Sequence, residues 1–209
     1  MARNVWLMPY SNFQKSHFNA SWGLAYAVAK SLREDSSGEY ACRIKRVGVN
    51  IYDADEAVNE AEFQDQSPSS LDIVIAFGEG GPDDLFNFEH TADASRNSIP
   101  DQYDLYGRPI PEILAYGPKL NGAVAGWYSN DDVRRLVRKF DNKAGQQQES
   151  PGAGDYLCGY MTEKLATSHV LSTKGFFIHT RSYDPKKSSE DRDRAGKIIA
   201  EFIEAFCSL

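Results

Sequence analysis

Cysteine and histidine are scarce in this chain of 209 residues, with three of the first and four of the second. Cys42, Cys158 and Cys207 are odd in number, far apart and in no CxxC spacing, which argues against a disulfide framework or a zinc knuckle. Free thiols of this kind fit a reducing, cytoplasmic setting. His17, His90, His169 and His179 form no pair at metal-ligand spacing, so neither a structural nor a catalytic metal is expected. Long apolar runs are missing too. Val5 to Met8 is too short for a signal-peptide core, and no stretch reaches membrane-spanning length. Positive charge is in deficit, with 23 Lys and Arg against 30 Asp and Glu, a net charge of -7. A surface of that sign gives no electrostatic reason to bind nucleic acid or an anionic membrane. There is no internal repeat and no break in composition, so a single domain over residues 1–209 is expected, long enough to bury a sizeable core.

What is present alternates between two periodicities. Val5 to Met8 reads as a short apolar strand ending at Pro9, followed by the loop PYSNFQKSHFN. ASWGLAYAVAKSLRE then reads as a helix, with Leu24, Val28 and Leu32 on one face and Asn19 or Ser21 as its cap. Val47, Val49 and Ile51 alternate as in a strand. DADEAVNEAEFQD predicts a helix capped by its first Asp. LDIVIAFG, Leu71 to Gly78, is the strongest strand signal and is apolar on both faces, as a central parallel strand requires. The stretch from Thr91 to Gly126 has no clear period and reads as a long irregular segment, either functional or poorly ordered. SNDDVRRLVRKF predicts a helix capped by Ser129, DYLCGYMTEKLAT another, GFFIHTR a second buried strand and SSEDRDRAGKIIAEFIEAFCSL a terminal helix. Strands alternating with helices predict an α/β domain with a largely parallel sheet covered on both faces. Ligands in such folds bind beyond the carboxyl ends of the strands.

Three kinds of side chain meet at those ends. Cys158 follows the small-residue run PGAG, where a helix start is expected, and free N–H groups and the positive dipole end there favour a thiolate. Gly152, Ala153 and Gly154 would let a carbonyl approach backbone donors. A lone thiol is more commonly a packing residue, and Cys42 and Cys207 fit that role. His179 ends an apolar strand and falls on the same sheet edge, within reach of a nucleophile at a neighbouring helix start. A carboxylate is needed to hold the imidazole tautomer; of Glu79, Asp83, Asp84 and Glu89 near a strand end, Glu79 follows the strand at once and Glu89 is framed by Phe86 and Phe88, and spacing does not choose between these two.

The chain resembles the pyroglutamyl peptidase I family of pyrrolidone-carboxylate cysteine peptidases. SPGAGDYLC, Ser150 to Cys158, matches that family's cysteine signature, and GEGGPDDLFNFEHTA places Gly78, Gly81 and Glu89 on its glutamate signature. GFFIH, NASW and Ile99-Pro100-Asp101 match three further segments in order. The resemblance implies a three-layer α/β/α sandwich with a mostly parallel central sheet. It implies removal of an N-terminal pyroglutamate from a peptide or small amide, with no cofactor, by an enzyme that is a homo-oligomer, tetramer or dimer. It makes Cys158 the nucleophile, His179 the acid and base and Glu89 the orienting carboxylate, with Tyr10, Phe13, Asn19, Gly78, Glu79 and Tyr156 at the substrate. The departures mark a divergent member: most glycines of the family's first loop are replaced, Ser98 stands where the family has arginine, and Gly159 follows the cysteine. Two alternatives follow from them, a cysteine amidase of the same fold acting on another small acyl or lactam group, and a catalytically inactive binding protein.

Overall fold

A computed structural model describes residues 2–11, 19–35, 38–66, 70–80, 84–90, 103, 104, 106, 108, 130–145, 157–182 and 189–209. Five strands, β1 (Arg3–Pro9), β2 (Tyr40–Ile44), β3 (Ile73–Glu79), β4 (Phe86–Phe88) and β5 (Gly175–Thr180), form one sheet in the order β2-β1-β3-β5-β4. All neighbours are parallel except β4, which runs antiparallel to β5 at the edge. The helices are α1 (Ala20–Asp35), α2 (Ile51–Asp65), α3 (Asp131–Ala144), α4 (Leu157–Thr167) and α5 (Ser189–Phe206). α1, α3 and α5 pack together on one side of the sheet, and α2 and α4 on the other. The sheet is largely parallel and covered on both faces, as the alternating periodicities predict, and the layering is the three-layer α/β/α sandwich that the resemblance implies.

The central strands form because their residues are buried on both faces. In β3 every residue from Ile73 to Gly78 is buried, as a strand between two helical layers requires. α1 forms as expected from Leu24, Val28 and Leu32, all fully buried on one stripe. α5 presses on α1 at Gly196, where an added Cβ would stand 2.6 Å from the Cβ of Ala27 and 2.8 Å from its backbone carbon. Only glycine allows the two helices this approach. Phe88, Phe140, Phe176 and Phe202 close the core under α3 and α5, with the Phe88 and Phe202 ring centroids 4.5 Å apart.

The local expectations differ from the structure in four places. Val47 and Val49 make only isolated bridges, to Tyr10 and Tyr103, and the regular strand lies earlier, at Tyr40–Ile44. Ile51 opens α2, whose cap is Asn50 rather than an Asp: the Asn50 side chain accepts the Asp53 N–H at 2.8 Å. α3 is likewise capped by Asn130 instead of Ser129, through the Asp132 N–H. β4 leaves no mark in the sequence, because three residues cannot display an alternation. It forms because its outward N–H, at Phe88, is taken by the Asp141 carboxylate from α3 at 2.8 Å, which shields an otherwise open edge.

Candidate active site

Side chains alternate between the two faces of a strand, and this sorts the site residues. Gly78 of β3 lies opposite His179 of β5, and Asn87 of β4 lies opposite His179 on its other side. Gly78, His179, Asn87 and Glu89 therefore share the face covered by α4. Glu79, Phe88 and His90 belong to the other face.

His179 is bracketed on that face. Its Nδ1 lies 2.5 Å from Glu89 Oε1, and the Glu89 side chain is only 1% exposed. Glu89 is held in turn by Asn87, whose Nδ2 donates to the same oxygen at 3.0 Å, and by its own N–H, which donates to the Phe177 carbonyl at 3.0 Å. The Phe177 ring meets the imidazole edge to face at 5.1 Å. Gly80 lies beneath the ring, so that a Cβ there would come within 2.9 Å of His179 Cγ.

Cys158 is the second residue of α4, half-buried, and its sulfur sits over Gly78. A Cβ on Gly78 would lie 2.6 Å from Cys158 Sγ, 2.8 Å from Phe177 Cζ and 3.2 Å from His179 Cδ2. The strand has a glycine where sulfur and imidazole need the space. Burial disfavours the charged imidazole, but the charge and hydrogen bonding of Cys158, together with Glu89, outweigh it and push His179 from 6.5 up to about 10. Burial pushes the other two thiols, Cys42 and Cys207, up to about 11 each.

The remaining candidates separate. Glu79, on the opposite face, accepts the Ala20 N–H at 2.8 Å and the Ser182 hydroxyl, so it caps the start of α1. Asn19 serves the same helix end: its Oδ1 accepts the Ser21 N–H at 3.0 Å while its Nδ2 donates to the Ser11 carbonyl at 2.7 Å. Tyr10 is on the α4 face but buried, 3% exposed, and its hydroxyl donates to the Leu157 carbonyl at 2.9 Å. Phe13 and Tyr156 lie outside the described residues, as do Ser98 and most of the segment from Thr91 to Gly126. Gly80 and Phe177 are assigned no role from the sequence, and Asn87 stands out there only as a departure from the hydroxyl residue that the family prefers two before the glutamate. The parity of GFFIH could have pointed to Phe177, two before the histidine, but Gly80 and Asn87 depend on strand register.

A second buried pair stands behind the first. His90 Nε2 lies 2.7 Å from Asp141 Oδ2, on the opposite face of β4 from Glu89. Asp141 also holds the Phe88 N–H, so one carboxylate ties α3 to the strand that carries Glu89. Burial, only partly offset by His90 and Phe88, raises the Asp141 carboxyl above its ordinary value. Among the described residues no group of three or more His, Cys, Asp or Glu could hold a metal ion, and no helix is long and apolar enough to cross a membrane.

An arrangement of sulfur, imidazole and carboxylate along one sheet edge is suited to nucleophilic acyl transfer. No family model matches the chain. A pyrrolidone-carboxylate peptidase of Bacillus cereus is 25% identical over 183 residues, covering 85% of this chain and 77% of that protein. The crystal structure of Bacillus amyloliquefaciens pyroglutamyl peptidase I superposes with a TM-score of 0.67 at 21% identity, covering 99% of this chain and 98% of that one. Pyrrolidone carboxyl peptidase from Pyrococcus furiosus gives 0.66 at 18% identity, over 98% of each chain. The chain is thus similar in sequence to pyrrolidone-carboxylate peptidases and shares the fold of pyroglutamyl peptidase I.

Proposed function

We propose that the protein is a cysteine exopeptidase that hydrolyses the amide bond after an N-terminal pyroglutamate, using Cys158, His179 and Glu89 within one domain. The observation that carries this reading is the line from Glu89 Oε1 to His179 Nδ1 at 2.5 Å and on to the Cys158 sulfur above Gly78. Nδ1 is engaged by the carboxylate, which leaves Nε2 for the sulfur and the leaving group. Proton transfer from the Cys158 sulfur to this imidazole generates the nucleophile. The thiolate attacks the carbonyl carbon, a C–S bond forms and the π pair moves to oxygen. Collapse of this intermediate breaks the C–N bond, and the departing amine takes the proton from His179. The neutral imidazole then removes a proton from water, which attacks the thioester, releases the acid and regenerates the thiolate and imidazolium.

The test is hydrolysis of a pyroglutamyl-coumarin amide, with Cys158→Ala as control. Turnover by the wild type that is lost in Cys158→Ala supports the reading, and no turnover by folded wild-type protein sinks it. A second reading keeps the nucleophile and changes the acyl group, as in a cysteine amidase of the same fold. Tyr10 favours it, because the residue that the family resemblance puts against the lactam is packed into the protein through its bond to Leu157. Rapid alkylation of Cys158 without pyroglutamyl cleavage would select this second reading.

A further inference from the structure

The Tyr10 hydroxyl ends on the carbonyl of Leu157, the residue immediately before Cys158, in a buried bond of 2.9 Å. That carbonyl and the Cys158 N–H are the two ends of one planar trans peptide unit, so fixing the oxygen fixes the direction of the N–H. Leu157 is the first residue of α4 and fully buried. The Cys158 N–H therefore belongs to the second residue of α4. It is carried by the same residue as the sulfur, and so stands close to an oxyanion formed on a carbon bonded to that sulfur. A hydrogen bond accepted at one end of a peptide polarises the donor at the other.

We propose that Tyr10 is a positioning residue for acyl transfer at Cys158: its hydroxyl orients and polarises the Leu157–Cys158 peptide, whose N–H receives the oxyanion. This rests on Cys158 being the nucleophile, but not on pyroglutamate being the substrate. It differs from a role for the Tyr10 ring in holding a lactam, and Tyr10→Phe separates the two because it keeps the ring and removes the hydroxyl.

The experiment compares two reactions of Cys158 in wild type and Tyr10→Phe, with the modified residue identified by mass spectrometry. Acylation by 4-nitrophenyl acetate passes through a tetrahedral oxyanion, whereas alkylation by iodoacetamide does not. Because a donor is weakened rather than deleted, acylation should fall about tenfold, less than the ~10²–10³ lost with a whole oxyanion donor, while alkylation stays within about twofold. With the pyroglutamyl amide, kcat should fall by the same factor at unchanged KM. Equal losses in both reactions would mean general damage to the thiol or the fold and would overturn the proposal, as would no loss in either. If the wild type acylates at Cys158 but cleaves no pyroglutamyl amide, the substrate assignment fails while the ratio of the two rates still decides the role of Tyr10. If Cys158 takes neither reagent, both fall.

Discussion

Replacing Gly78 by alanine adds one carbon at the point where the site is most crowded. The new Cβ would lie 2.6 Å from Cys158 Sγ, 2.8 Å from Phe177 Cζ and 3.2 Å from His179 Cδ2. The first of these is roughly an ångström short of an ordinary contact of ~3.5–4.0 Å. Little around it can yield. Phe177 is fully buried and braced edge to face against the imidazole, and the imidazole is tied to Glu89. The sulfur and the imidazole must therefore move apart. Overpacking of this kind costs ~1–3 kcal/mol, which for a chain of this length lowers Tm by roughly 2–12 °C. The kinetic effect is larger, because an ångström of misplacement between reacting groups costs about 10²-fold. The assay pairs a thermal melt with kcat/KM on the pyroglutamyl amide and the rate of Cys158 alkylation. Gly38→Ala is the control: Gly38 has φ 87° and nothing within 4 Å of an added Cβ, so strain there costs stability without touching the site. A Gly78→Ala enzyme with kcat/KM within about twofold of wild type would refute the crowding argument, since the stated overlap predicts a far larger loss.

Two further outcomes follow from the buried ionisable groups. His179 is raised in the folded protein from 6.5 to about 10, so the stability it contributes is complete below pH 6.5 and is lost as pH rises through about 10. Differential scanning fluorimetry should show the wild-type Tm falling across that window, with the component removed in His179→Gln. Asp141→Ala removes the acceptor of the Phe88 N–H and the partner of His90 together, and should cost about 2–3 kcal/mol, read as a lower urea midpoint. In the same variant, amide exchange at Phe88 and Glu89 should quicken before that of β3, because the edge strand is what Asp141 holds.

The layered fold was legible because burial on both faces leaves a mark in composition. IVIAFG and GFFI need no alternation to be recognised as inner strands, and the stripe of Leu24, Val28 and Leu32 identifies α1 without reference to its neighbours. The errors occur where tertiary contacts decide. Val47, Val49 and Ile51 alternate as a strand would, yet the sheet pairs with Tyr40–Ile44 instead, because Arg3 to Leu7 of β1 find their parallel register there. β4 is three residues long, and its strand geometry is secured by β5 on one side and Asp141 on the other, a partner more than fifty positions away in the chain.

The site divides along the same line. Cys158 and His179 carry local signals, a Gly-rich approach to a helix and the end of an apolar strand. The carboxylate does not, because Glu79 and Glu89 both stand just beyond a strand and the choice between them is a matter of register. β3 pairs Gly78 with His179, which turns Glu79 to the opposite face, where the α1 N-terminus claims it. β4 pairs Asn87 with His179, and Glu89, two residues on, shares the histidine's face and closes on Nδ1. A shift of one residue in β3 would exchange faces and put a Glu79 side chain where the sulfur needs Gly78. The glycine and the glutamate are thus set by one constraint. The face that receives sulfur and imidazole must be empty at the β3 position beside His179 and acidic on the far side of β5, and only the observed register satisfies both.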